Sequence, residues 1–593
     1  MMRRRLRTWL ITLLVAAPIV VLLPSVLENG FVSIDDSLLI TENAAVQSLS
    51  PRTLWYVFTS YDPELYIPLT LLTYQLEWAL AGAQPILFHL TNLLLHVGSG
   101  MFLFFLLRKI FGTEMIAFFG AMLFVLHPVH TEAVAWAAAR KDVLSAFFFL
   151  GSLYFYECSP TAKKYGIASV VFFLLALLSK VTVALLPLVL ILLDWRRGER
   201  IGVKNLRAKI PYVSLSVLFI VIALFGKAQG IGSLGLWKTL LLSAKAVVFY
   251  FQKLLWPMHL TVIYQQQTPV ILGSPEFWMP AALVFLLLII IGIAARSHYK
   301  NITFGLAFYL TTVIPNFANF WKNRFLFFAS DRYAYIPSIG LIVILCSLAL
   351  WILRRNNRLK IPLMAVLFTL SALFSLGAFL QSRVWRTDFT LYEHVLRRYP
   401  DSALAATNLG DAYVKAGKLE EALPWFSRAV EHDGAYIQAM TNAGNVEREL
   451  GRFDAARAWY ERAIDAIGPD PRMEDLAPRY LLGELLMKMG KKDEALSQFR
   501  FAAEALPSVA EPFYNWGIQF QSLGRGDEAI PLFEKAIALD PRHIASRYHL
   551  AGLYAERGRL AEAKNQLEAV VRMDPRYEKA AEHLQAIRRL LER

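Results

Sequence analysis

The feature that most constrains this chain is the apolar run from Thr8 to Leu27, preceded by Arg3, Arg4, Arg5 and Arg7. At 1.5 Å of rise per helical residue such a run is long enough to cross ~30 Å of hydrocarbon. The arginines hold its N-terminal end on the cytoplasmic side. Pro24 to Asn29 contains no small-residue cleavage signature, so the run reads as an uncleaved span rather than a signal peptide. Further spans are expected near 86–107, 115–130, 137–157, 165–179, 181–195, 210–225, 278–295, 302–316, 335–353 and 361–380, which with the first make eleven. Arg108/Lys109, Lys163/Lys164, Arg196 to Lys209, Arg296/Lys300 and Arg354 to Lys360 then all fall in turns on the cytoplasmic side.

Two segments strain that pattern. Tyr165 to Trp195 is short for two crossings, but one crossing would carry Arg196, Arg197 and Arg200 across, so two short or tilted helices are expected. Lys238 to Trp256, with Lys245, Gln252 and Lys253, suits an interfacial or re-entrant helix. An odd number of crossings puts the C-terminal third opposite the cytoplasm, in the periplasm of a bacterial inner membrane or in a secretory lumen.

Charge changes character near residue 400. Residues 1–400 carry 35 Lys/Arg against 17 Asp/Glu, and 401–593 carry 26 against 30. With 56% of residues apolar and 18% charged overall, an ordinary soluble protein is excluded. The surplus cations sit in short clusters between apolar runs, not along one polar face, so nucleic acid is not the expected partner. Cys158 and Cys346 have no spacing suited to a metal site or a disulfide framework.

The C-terminal third repeats itself. Gly410, Gly444, Gly483 and Gly517 are separated by 34, 39 and 34 residues, and Gly417, Gly451, Gly490, Gly524 and Gly558 keep the same steps. Ala422, Ala456, Ala495, Ala529 and Ala563 run in phase, as do Phe426, Tyr460, Phe499, Phe533 and Leu567. Small residues let paired helices approach while the aromatics fill the space between pairs. This pattern resembles the tetratricopeptide repeat. The expected architecture is all-α: a polytopic transmembrane bundle over 1–385, a linker at 386–401, an α-solenoid of five repeats over 402–576, and a polar capping helix at 577–593. Such an array offers a concave groove for an extended peptide or partner protein; a structural stalk or dimerisation surface is the plainer reading.

Polar residues gather at the predicted outer membrane face. Asp35 and Asp36 open the loop after the first span; adjacent carboxylates repel, so one can act as a base or both can hold a divalent cation, the alternative being a helix N-cap. His127, His130, Glu132, Arg140, Lys141 and Asp142 lie between the third and fourth spans, Lys180 in the next outer turn, and Arg324, Asp331, Arg332 and Tyr333 before the tenth. Ionisable groups at that depth need partners or a wet cavity. Arginine forks and lysines beside carboxylates suit a lipid-linked phosphate, although each cation alone could be an interfacial anchor. His127-Pro-Val-His130 could form a metal corner, but it lacks a cysteine partner, and hydrogen bonding or substrate positioning is the expected role.

A family resemblance rests on these pieces in order: Asp35-Asp36 with Asn43 behind, Tyr66-Ile-Pro-Leu-Thr-Leu-Leu-Thr-Tyr74, Phe88-His-Leu-Thr-Asn92 with His96, His127 to Asp142, Asp331-Arg-Tyr-Ala-Tyr-Ile-Pro-Ser-Ile-Gly340, and then the repeats. Over nearly its whole length the chain resembles the transmembrane-and-tetratricopeptide O-mannosyltransferases and their bacterial relatives, membrane glycosyltransferases of the GT-C fold. The resemblance implies transfer of a mannose-like sugar from a polyprenyl-phosphate donor to an acceptor hydroxyl, with inversion and no certain cofactor. It makes Asp35 the base and Asp36 its partner or a cation ligand. It makes Arg140 and Arg332 the leading contacts of the donor phosphate; the outer-face cluster adds Lys141 and Lys180 to them, and Asn43, His127, His130, Glu132, Asp142, Asp331 and Tyr333 are expected to position substrate. Where relatives commonly show Gly-Arg-Ala-Asp this chain has Ala139-Arg-Lys-Asp142, which bears on the head group. A serine or threonine of a protein recruited by the repeats is the expected acceptor. The alternatives are a glycolipid or polysaccharide acceptor, and a non-enzymatic scaffold for envelope assembly.

Overall fold

The computed structural model describes residues 2–62, 65–227, 235–266, 268–296, 299–322, 325–469 and 471–592. The chain forms two compact units, Met1–Arg398 and Tyr399–Arg593. Both are built almost entirely from α-helices, as the sequence leads one to expect.

In the first unit five helices are long and apolar enough to cross a bilayer: Arg7–Glu28, Pro85–Phe111, Pro275–Ala294, Ser338–Arg355 and Asn357–Trp385. A sixth candidate is a broken pair, Glu114–Val125 and Pro128–Ala135, bent by 49°. The break has a local cause, because Pro128 has no N–H to continue the helix and starts a 3₁₀ turn instead. The remaining expected spans are also helices, Arg140–Cys158, Lys163–Ser179, Leu186–Arg197, Ile210–Lys227 and Lys300–Val313, but they are shorter or open on charged residues. Length and composition therefore support five or six crossings among the described residues, where hydropathy and basic clusters suggested eleven.

Leu236–Leu255 buries one face through Leu241, Leu242, Ala246, Val247, Tyr250 and Leu254, with Trp237 and Trp256 exposed near its ends. That one-sided burial accords with an amphipathic helix. Beside it lies the one departure from an all-helical architecture among the described residues, a small antiparallel sheet in which Phe325–Ala329 pairs with Tyr264–Gln265 on one side and Trp321–Lys322 on the other. Helices Lys300–Val313 and Ser338–Arg355 touch backbone to backbone: a Cβ on Gly305 would fall 2.5 Å from the Gly340 carbonyl oxygen.

Most of the stretch expected to be a linker, 386–401, is helix Asp388–Arg398, with Leu391, Tyr392 and Val395 buried against the first unit. Its apolar residues recur at helical spacing, and the short segment reads as a linker only because charges surround them.

The second unit is a run of helix pairs from Ala403–Lys415 to Leu560–Met573, closed by Ala580–Leu591. Its recurrent columns have direct packing causes. A Cβ on Gly410 would lie 2.6 Å from the Phe426 ring, and one on Gly517 2.8 Å from Phe533. The alanine column is fully buried. Gly524 ends its helix at φ 71°, where a side chain is strained. Replacing Gly517 with Val should therefore cost about 1–3 kcal/mol by overpacking, and Gly524→Ala about 1 kcal/mol by backbone strain. Thermal unfolding of the full chain, followed by protease sensitivity within 399–593, checks both, and the Val variant should be the more sensitive.

Candidate functional site

Three cation–carboxylate pairs from four distant stretches meet in the first unit. Lys141 Nζ lies 3.5 Å from Asp35 Oδ2, and Lys180 Nζ lies 2.5 Å from Asp142 Oδ1. Arg332 pairs with Glu132, and its Nε is 3.9 Å from Asp142 Oδ2. Aromatic rings separate the cations. The Arg332 guanidinium sits 4.9 Å from the centre of Trp136 and 4.8 Å from that of Tyr333, while Lys141 also faces Trp136 and Lys180 faces Tyr333. The negative ring faces offset part of the repulsion among three positive groups. Trp136 in turn stacks on Trp385 at 5.5 Å.

Burial disfavours the Arg332 charge, but Tyr333, Glu132, Asp142 and Asp35 around it raise its pKa above the ordinary arginine value. Glu132 fixes its place as well, accepting from the Arg332 backbone N–H at 3.3 Å and from the Ser330 hydroxyl at 2.6 Å. Asp331 lies behind this turn. It accepts from the Tyr264 hydroxyl at 2.9 Å, and burial followed by the neighbouring Glu132 pushes its pKa well above the carboxylate range, with the Tyr264 bond opposing.

The two aspartates separate in role. Asp36 is fully buried; its Oδ2 accepts from the Val32 N–H and its Oδ1 from the Ala138 N–H, each at 2.8 Å. Burial, despite those two bonds, raises its pKa to about 7. Each oxygen accepts a backbone N–H, so Asp36 pins the first loop onto the turn that precedes Arg140. Among the described residues no group of three metal-ligating side chains gathers here or elsewhere. Asp35 remains partly open, its side chain 17% exposed, and turns toward Lys141.

Several expected site residues are spent elsewhere. Arg140 is completely buried, and all five of its N–H donors have acceptors: Nε gives to Asn92 Oδ1, and the two terminal nitrogens give to Glu77 at 2.9 and 3.1 Å, Thr73 at 3.0 Å and the Phe88 carbonyl at 2.7 Å. No donor remains for a phosphate, which corrects its assignment as a phosphate contact. His127 donates from Nε2 to the Leu254 carbonyl at 3.0 Å and accepts from the Val129 N–H; His130 bonds the Phe124 carbonyl at 2.8 Å and Ser338 at 3.1 Å. Both rings satisfy groups beside the break at Pro128, and His127 also ties that break to the end of helix Leu236–Leu255. Asn43 donates to Asp62 at 2.5 Å and accepts from the N–H groups of Ala45 and Val46, an Asx-type brace of its own loop. Arg324 lies outside the described residues.

Residues that sequence reasoning passed over do much of the positioning. Glu77 had a usable signal, being the one charged residue in the apolar stretch from Tyr66 to Gly82, where a lone carboxylate demands a partner. Tyr74, whose ring lies 5.2 Å from the Arg140 guanidinium, and Trp136 fall within the stretches that carry the family resemblance but take no role of their own from it.

Tetratricopeptide-repeat family models match residues 401–467 and 521–587. The chain is 25% identical over 479 residues to the human Protein O-mannosyl-transferase TMTC4, covering 67% of this chain and 63% of that protein. It is 23% identical over 444 residues to the Caenorhabditis elegans Protein O-mannosyl-transferase F38B6.6, covering 70% and 61%. A shorter stretch of 135 residues is 36% identical to human Protein O-mannosyl-transferase TMTC1, covering 21% and 15%. The chain is thus similar over about two-thirds of its length to TMTC proteins, and it carries tetratricopeptide repeats. Its matches span less than two-thirds of the length of these relatives.

Two tests follow from the geometry. Glu77→Ala strands the Arg140 charge inside the unit and should destabilise it by about 3–5 kcal/mol, read as a lowered unfolding temperature in detergent, whereas Thr73→Val should cost far less. The raised Asp36 pKa means that the folded chain holds this proton more tightly than the unfolded chain. Its contribution to stability is full below the unfolded value near 4 and is lost as pH rises through about 7. The unfolding temperature of Asp36→Asn should fall less between pH 4 and 7 than that of the parent.

Proposed function

We propose that the chain is an integral membrane glycosyltransferase that moves a hexose of the mannose type from a polyprenyl-phosphate donor to a serine or threonine hydroxyl of a protein, with inversion. The observation that carries this reading is the juxtaposition of partly open Asp35 with Lys141, Lys180 and Arg332, from elements far apart in sequence. The names of the TMTC relatives support the sugar class and the protein acceptor, and the repeats supply a surface for recruiting one. On the topology expected from the basic clusters, the site and the repeats face away from the cytoplasm, into a periplasm or lumen.

In the proposed step Asp35 takes the proton of the acceptor hydroxyl while that oxygen bonds to the anomeric carbon. The bond from that carbon to the phosphate oxygen breaks on the opposite face, and its electron pair leaves with the polyprenyl phosphate. Lys141, Lys180 and Arg332 stabilise the charge growing there. The three cations are matched by Asp35, Asp142 and Glu132, so a donor phosphate has to compete for them. Drawing Lys141 away from Asp35 removes a neighbouring positive charge and makes Asp35 a stronger base. Arg140, Glu132 and Asp36 act through position.

Purified full-length protein with a panel of polyprenyl-phosphate sugars should release polyprenyl phosphate. Asp35→Asn should lower turnover by about 10²-fold or more at unchanged folding, and Lys141→Met by about 10²-fold. Full activity in Asp35→Asn rejects the base, and retention of the donor's anomeric configuration in the product rejects single displacement. If Lys141→Met changes only assembly with partners and no donor is ever consumed, the ion pairs are those of a scaffold.

A further inference from the structure

Where the bilayer-length helix Asn357–Trp385 ends, the chain is stitched to the start of the loop that carries Asp35. The contacts run in order along both segments. The Ser25 and Ser382 hydroxyls are 2.5 Å apart, and the Asn29 side-chain amide donates to the Ser382 carbonyl at 3.4 Å. The Gly30 N–H donates to the Arg386 carbonyl at 3.0 Å, and the Ser33 N–H donates to Asp388 Oδ1 at 2.7 Å. The Val32 N–H goes to Asp36, a contact within the loop itself, whereas the Ser33 N–H goes to a carboxylate 355 residues away. The stitching ends two residues before Asp35.

The same segment reaches the cations. Trp385, three residues before Asp388, stacks on Trp136 with ring centres 5.5 Å apart and planes 17° from parallel. The Arg332 guanidinium sits on Trp136, 4.9 Å from the ring centre, and is also 4.8 Å from the centre of Tyr333. Both indoles are fully buried, and neither indole N–H has a protein acceptor among the described residues, so what the pair contributes is ring surface. Trp136 offers the guanidinium a negative ring face, and Trp385 fixes where that face lies.

We propose that the segment 382–388 is a brace that sets the candidate base against the cations, with Asp388 the positioning residue for Asp35 and Trp385 the positioning residue for Arg332. Asp388 acts through the Ser33 N–H, and Trp385 through the Trp136 ring. The proposal deepens the transferase reading and rests on it. Such a brace matters because a displacement of about 1 Å, made far from the chemistry, can cost about 10²-fold in rate.

Two measurements on the purified full-length chain in detergent test it. The first is hydrogen–deuterium exchange, which needs no turnover. Asp388→Ala removes the acceptor of the Ser33 N–H, so exchange across residues 31–36 should rise about tenfold over the parent, with residues 399–593 unchanged. Asp388→Asn, whose amide oxygen can accept the same bond, should restore most of the protection. A loop that exchanges as slowly in Asp388→Ala as in the parent overturns the brace, whatever the chain catalyses. The second measurement is transfer from the polyprenyl-phosphate sugar that the parent consumes. Asp388→Ala and Trp385→Leu should each lower kcat about tenfold or more with the donor KM within about twofold, and Asp388→Asn and Trp385→Phe should recover most of that loss. Asp388 is only half-buried, so its variants keep the test readable if Trp385→Leu, in the core, does not fold. An unchanged kcat, a loss confined to KM, or an Asn variant no better than the Ala variant overturns the positioning roles. If the parent consumes no donor, the transferase reading fails and the positioning roles fall with it, while the exchange data still show whether the segment holds the loop.

Discussion

The buried guanidinium of Arg140 organises the site. A fixed positive charge inside an apolar bundle is tolerable only when every donor is met, and here Glu77, Asn92, Thr73 and the Phe88 carbonyl meet all five. Those acceptors come from helices Pro68–Ala81 and Pro85–Phe111, so the first residue of helix Arg140–Cys158 is tied to both. Successive residues on a helix point about 100° apart, and fixing Arg140 inward therefore turns Lys141 and Asp142 toward the polar cluster. The arginine works by aiming its neighbours.

This explains why some of the site was legible in the sequence and some was not. Charged residues inside or beside apolar runs mark polar sites because hydrocarbon penalises them, and Asp35, Lys141, Asp142, Lys180, Glu132 and Arg332 do converge. The same penalty applies to a charge neutralised out of sight, so it cannot separate a cation that faces a ligand from one consumed by the fold. Arg140 and Lys141 are adjacent and look alike in sequence; they differ only in whether Glu77 lies within reach, a fact of tertiary packing. His127 and His130 take the hydrogen-bonding role, one of the two expected of them. A proline break frees carbonyls that must be bonded, and nearby histidines can serve them as readily as a substrate.

The shape of the membrane unit shows the same division. Apolar runs located the helices, and basic clusters bounded them, because both signals depend on local composition. Whether a run makes one straight crossing depends on what satisfies its backbone at a break. Around Pro128 the His130 ring bonds the Phe124 carbonyl and the His127 ring accepts from the Val129 N–H, and the chain bends instead of continuing. Basic residues of the expected cytoplasmic turns also serve the fold: Lys209 and Arg197 pair with buried Asp194, which also accepts from Tyr156 at 2.8 and 2.9 Å. The repeats were more legible, since each column of small and aromatic residues records a contact made within 34 residues.

Adjacent aspartates with identical side chains have been given different tasks by one turn of backbone. Asp36 points inward, takes the N–H groups of Val32 and Ala138, and closes the loop onto the segment that leads into Arg140. The residue before it is thereby directed the other way, toward Lys141 and the partly open edge of the cluster. Two carboxylates side by side in one environment would compete for a proton. Here they are divided between a backbone clamp and a lysine, and the loop gains a fixed geometry from the clamp. The clamp and the Arg140 network meet within residues 136–140, where the Asn92 side-chain amide also donates to the Trp136 carbonyl at 2.9 Å. The position of Asp35 is therefore tied to the same short segment that leads into Lys141, and a shift in that segment would move Asp35 and Lys141 together.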